Sequence, residues 1–115
     1  MRLRFPSRKV CQRFDLIYET QGCQRAVNYL TRCYEVGRLA LIIDGRKVVT
    51  TKAHKKYAAH YYKNKAYFVR RYLSKRTVLH EVFHHLVDQK QITMPLRQEE
   101  RNAERFARFI MKHRF

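Results

Sequence analysis

Residues 77–87, TVLHEVFHHLV, constrain this chain more than any other stretch. Val78, Leu79, Val82, Phe83 and Leu86 recur at helical spacing, so the segment predicts a helix over residues 77–89 with one face in the core. Three histidines and a glutamate interrupt that apolar run. A core helix gains nothing from unpaired imidazoles and a carboxylate, because burying a polar group without a partner costs free energy. His80 and His84 are four residues apart, so both project from one side of the helix toward a common point. HExxH on a helix is the arrangement in which two imidazoles bind a metal ion and the intervening glutamate serves as base. Glu81, rotated by about 100° from His80, is placed to act on a water held by the metal rather than to join the ligands. His85, about 100° from His84, is expected beside the metal ligands or at the surface.

A zinc ion in a hydrolytic site takes a third protein ligand and keeps one position open. The last helix, with Leu96, Ala103, Phe106, Ala107, Ile110 and Met111 as its apolar stripe, offers Glu99 and Glu100. Both flank the stripe at about 50° from its centre, and helix-N-terminus stabilisation is the plain alternative for the pair. Periodicity leaves the choice between them open.

The pair HEVFHH and, sixteen residues on, EERNAERFA resembles the gluzincin zinc metallopeptidases, which carry HExxH on one helix and a glutamate ligand on the next. Glu100, Ala103, Phe106 and Ala107 match the form ExxAxxFA, similar to the ImmA/IrrE-like peptidases and the small archaeal minigluzincins. The resemblance implies Glu100 as third ligand, one Zn2+ per chain, Glu81 as catalytic base, and Glu104 as the carboxylate that orients His80. It also implies a peptide or protein substrate lying along the strand before the active-site helix, here residues 66–73, through free edge groups. The chain stops soon after the glutamate helix, so a shallow cleft is expected, with His60, Tyr61 and Tyr62 as candidates for transition-state stabilisation.

The rest of the chain predicts an α+β domain spanning residues 1–115. A basic arm is expected over residues 1–14, a helix over 21–36 ended by Gly37, and a hairpin turning at Asp44-Gly45. Residues 53–65 suggest a short helix, residues 66–73 a third strand, and residues 112–115 a tail able to occlude the cleft, in its own molecule or in a homodimer. Three cysteines without a CxxC pair indicate reduced thiols and a cytoplasmic setting. The longest aliphatic run, LALII, is far short of a membrane span.

Charge supplies a rival. The chain has 26 Lys and Arg against nine Asp and Glu, a formal net charge of +17. Residues 45–80 hold eleven of those cations, no acid and many tyrosines. Weak, sequence-independent nucleic-acid binding is the expectation. The alternative function is therefore a basic nucleic-acid-associated protein whose zinc is structural or whose site is inactive.

Overall fold

The computed structural model describes residues 3–44, 49–50, 56–57 and 59–113. Helix α1 (Arg8–Gln21) starts where the Ser7 side chain accepts the Val10 amide, and it buries Cys11, Phe14 and Asp15. The expected basic arm is thus folded from Arg8 onward: positions 11, 14, 15 and 18 make an apolar-rich face that outweighs the basic residues between them. Gly22, at φ 96°, breaks the chain into a second helix, α2 (Cys23–Cys33). Ala26, Val27 and Leu30 pack inward from α2 as the spacing requires. The helix ends before Gly37, because Glu35 takes the left-handed conformation at φ 57° and the Val36 amide bonds the Thr31 carbonyl.

Strand β1 (Ala40–Asp44) lies parallel to β5 (Lys65–Val69), and β4 (Ala59–Tyr62) lies antiparallel to β5 on its other side, giving the order β1-β5-β4. Lys63 and Asn64 join β4 to β5 with φ values of 45° and 66°. Two consecutive positive φ values in a two-residue loop match the right-handed twist of the paired strands. The turn of the anticipated hairpin at Asp44-Gly45 lies outside the described residues from Gly45 on; among the described residues β2 (Val49–Thr50) pairs with β3 (Lys56–Tyr57) in a separate two-stranded ribbon. Residues 45–48 lie outside the described residues, as do 53–55 and 58 of the ambiguous 53–65 segment, whose tyrosines and alanines could have made a short helix. Apart from the turn at Lys63 and Asn64, what is described of that segment is extended, consistent with the β-preference of its tyrosines.

A single 3₁₀ turn (Arg70–Tyr72) leads to α3 (Lys75–Gln89). Ser74 and Thr77 cap this helix reciprocally: the Ser74 Oγ accepts the Thr77 amide at 3.2 Å and Thr77 Oγ1 accepts the Ser74 amide at 3.0 Å. A turn through Gln91, at φ 51°, then returns the chain into α4 (Leu96–Lys112), which packs along α3. The core lies between the helices and one face of the sheet, with Phe14, Leu30, Phe68, Leu79, Leu86 and Phe106 fully buried. Lys75 ties α1 to the start of α3 by bonding Asp15 and Glu19. No helix among the described residues is long and apolar enough to cross a membrane.

Candidate metal centre

The α3–α4 pairing brings HExxH opposite the glutamates of α4. His80 Nε2 lies 2.9 Å from Glu100 Oε2, and His84 Nε2 lies 2.9 Å from Glu100 Oε1. One ligand atom each from His80, His84 and Glu100 falls within 4.8 Å of the others. Ligand atoms held tetrahedrally at zinc distances lie about 3.3 Å apart, so small side-chain adjustments suffice.

The far side of each ring is also occupied. His80 Nδ1–H donates to Glu104 Oε1 at 2.8 Å, and His84 Nδ1–H donates to Glu99 Oε2. Arg76 holds Glu104 in turn, with Nη2 2.5 Å and Nε 3.1 Å from Oε2. Burial pushes the Glu104 carboxyl up, but the Arg76 and His80 hydrogen bonds outweigh it and hold the pKa below the usual value. A carboxylate oxygen accepts, so each Nδ1 carries its proton, and the Nε2 of each ring is left to face Glu100. Two imidazole nitrogens and a carboxylate converging at 2.9 Å require positive charge between them, whether a proton in each contact or one metal ion bound by all three. That donor set fits zinc.

Glu81 completes the group. It is only 6% exposed, and its Oε2 is a buried oxygen without a hydrogen-bond partner. Burial raises its pKa; positive charge on His84 and His80 opposes the shift, and Glu100 adds to it. A buried, unpartnered carboxylate oxygen beside a cation site is poised to accept a proton.

All of the sequence-derived residues Glu81, His80, His84, Glu100 and Glu104 meet at this centre. His85 does not. It is fully buried and belongs to a different network: Nε2–H donates to the Gly37 carbonyl at 2.7 Å, and Nδ1 lies 3.1 Å from the Tyr61 hydroxyl. Tyr61 donates to Asp88 at 2.6 Å. Burial and that hydrogen bond raise the Tyr61 pKa above its ordinary value, although the Asn64 amide bonded to its oxygen opposes the rise. Tyr61 therefore fastens β4 to α3. His60 and Tyr62, ring centroids 6.4 Å apart and nearly parallel, share the cleft lining with it.

Sequence reasoning gave no role here to Arg76 or, beyond its tie with Glu100, to Glu99. Arg76 sits four residues before His80, a spacing that shares a helix face and was available as a signal. The equal placement of Glu99 and Glu100 beside the apolar stripe was the only hint that both reach the histidines.

The centre opens into a cleft of ≈ 1070 Å³ walled by α3, α4 and β4. β5, expected to offer a free edge, is the middle strand; among the described residues β4 is the edge at the cleft. The parallel partner β1 covers the other side of β5, a long-range pairing that local pattern does not report. Helix α4 runs on to Lys112, and His113 rests against Phe109 with ring centroids 4.7 Å apart. The twelve steps from Glu100 to Lys112 carry the described end of the chain about 18 Å along the axis. Occlusion of the chain's own cleft required that helix to end earlier; residues 114–115 lie outside the described residues. No protein-family model, curated protein or solved structure matches this chain, so its chemistry is argued from its own residues.

Proposed function

We propose that this chain is a small zinc-dependent peptidase of gluzincin type. The observation that supports it most is the convergence of two Nε2 atoms and Glu100 beside the unpartnered oxygen of Glu81. His80, His84 and Glu100 would hold the ion; when bound, zinc supplies Lewis acidity that lowers the pKa of a coordinated water to about 7 and polarises a carbonyl. Glu81 takes the proton of the attacking water and returns it to the departing amine, a role its desolvated, uncommitted carboxylate suits. Glu104 and Glu99 keep both rings in the Nδ1–H tautomer and fix their direction. The edge of β4 offers backbone N–H and C=O groups to an extended peptide.

The rival reading, a structural ion in a nucleic-acid-associated protein, needs a fourth protein ligand. Among the described residues the group that could hold an ion has three members, and an open fourth position favours hydrolysis. The test pairs metal content with cleavage of casein, for the natural chain and for Glu81→Gln. We expect one zinc per chain in both and cleavage only by the natural chain, with a loss of at least about a hundredfold in the variant. A zinc-loaded chain that cleaves no better than Glu81→Gln would defeat the peptidase reading.

A further inference from the structure

Helix α4 has a second polar face, pointing away from the metal centre. Arg97, Arg101, Arg105, Arg108 and Lys112 are all exposed. At 100° per residue they fall within an arc of about 80°, along a row of about 22 Å. Among the described residues none of the five forms an ion pair. The acids on the same helix are engaged elsewhere, Glu99 and Glu100 on the histidines and Glu104 on His80 and Arg76.

Solvation of an amphipathic helix explains one or two such side chains, but not this alignment. Like charges three and four residues apart destabilise a helix, and the row contains Arg97–Arg101, Arg101–Arg105, Arg105–Arg108 and Arg108–Lys112. Acid–base alternation along the same face would reverse the sign of each pair. On a chain of net charge +17, the one acid bordering the row, Glu104, is committed to Arg76 and His80.

We propose that the outer face of α4 binds the phosphate backbone of nucleic acid without reading its sequence. A straight, narrow row of cations is complementary to a linear polyanion. A membrane surface fits less well, because Ala103, Phe106, Ala107 and Ile110 of α4 are buried in the core, and Phe5 and Phe109, which flank the row, are too few apolar side chains to anchor the helix in lipid. Arginine also suits the partner, since its guanidinium fork pairs two phosphate oxygens at once. The surface is distinct from residues 45–80, where the sequence places its densest acid-free stretch. It also stands independently of the zinc chemistry, although Glu100 and the cationic row share one rigid helix.

The experiment measures anisotropy of a fluorescent single-stranded oligonucleotide of mixed sequence across a salt series. Five neutralised phosphates give a log–log slope of about −3.5, or roughly a hundredfold weakening between ~50 and ~200 mM salt. Arg101→Gln/Arg105→Gln/Arg108→Gln should reduce the slope to about −1.4, a roughly sevenfold weakening over the same range. The corresponding triple change to Lys should keep the natural slope. As a control of equal charge loss, Arg25→Gln/Arg32→Gln/Arg38→Gln alters exposed cations outside α4; it should leave the slope near −3.5. Circular dichroism establishes that each variant keeps its helices. Equal slope changes in the α4 and control variants would overturn the proposal, reducing the effect to net charge. So would tighter binding to phosphatidylserine vesicles than to the oligonucleotide at the same salt, abolished by the α4 triple change.

Discussion

Helices α2 and α3 are both core helices, but they differ in what they bury. Helix α2 turns Ala26, Val27, Leu30 and Thr31 inward, and the one buried hydroxyl is satisfied by the Asn28 carbonyl of its own helix at 3.1 Å. Helix α3 buries six apolar side chains together with Glu81, His84 and His85. Burial by itself does not separate structure from function, as the neighbours His84 and His85 demonstrate. His85 is sealed in the interior with both ring nitrogens near protein partners, the Gly37 carbonyl and the Tyr61 hydroxyl. His84 is satisfied at Nδ1 by Glu99, while its Nε2 faces the oxygen of Glu100. An interior polar group with complete protein bonding stabilises a fold; one left without a partner, as the Oε2 of Glu81 is, asks for a ligand. Helix α2 has only the first kind and α3 has both.

The sharpest way to break this contrast is to remove one imidazole. His84→Ala should take zinc binding from one ion per chain to none detectable by metal analysis, with a fall in melting temperature because the site's binding energy is folding energy. In α2, Leu30→Ala should leave metal content unchanged and cost about 2–5 kcal/mol by denaturant titration, the price of a cavity at a fully buried leucine. Retention of zinc by His84→Ala would make α3 as purely structural as α2.

A smaller effect tests the carboxylates behind the rings. Glu99→Gln and Glu104→Gln should each weaken zinc about 10–100-fold in a competition titration with a chelating dye. Glu99 is the more informative of the two, because the gluzincin pattern did not nominate it. Unchanged affinity in Glu99→Gln would leave His84 without the oriented tautomer described above.

The smallest effect has the opposite sign. In metal-free protein, Glu81→Leu should raise stability by about 1–3 kcal/mol, since it removes a buried carboxylate oxygen that has no partner. Urea denaturation in the presence of a chelator measures it. A loss of stability instead would mean that Glu81 is bonded in the interior as His85 is, and the distinction drawn within α3 would fail.

Much of this arrangement is legible along the chain. Local periodicity placed α3 and the apolar stripe of α4, and the four-residue spacing put His80 and His84 on one face, because a helix orients its side chains by geometry internal to the segment. Chain-local reading failed where distant segments compete. The strand over residues 66–73 is expected at an edge, but β1 pairs with β5 from more than twenty residues away, which makes β5 a central strand among the described residues and hands the cleft to β4. Residues 8–14 read as a charged arm because their basic side chains dominate composition, while Cys11 and Phe14 acquire meaning only against the rest of the core.

His85 and the glutamate pair mark the boundary between the two kinds of information. Helical spacing sets His85 about 100° from His84, but it is the approach of Gly37 and Tyr61 from other elements that buries and satisfies it. Glu99 and Glu100 are nearly symmetric about the stripe of α4, so no count of residues can rank them. The way α4 lies against α3 breaks that symmetry, sending Glu100 to the two Nε2 atoms and Glu99 to the Nδ1 of His84. The sequence determined which polar side chains share a helix face; the packing of two helices decided which atom each one meets, because a side chain's direction around its own axis is local and its partner across an interface is not.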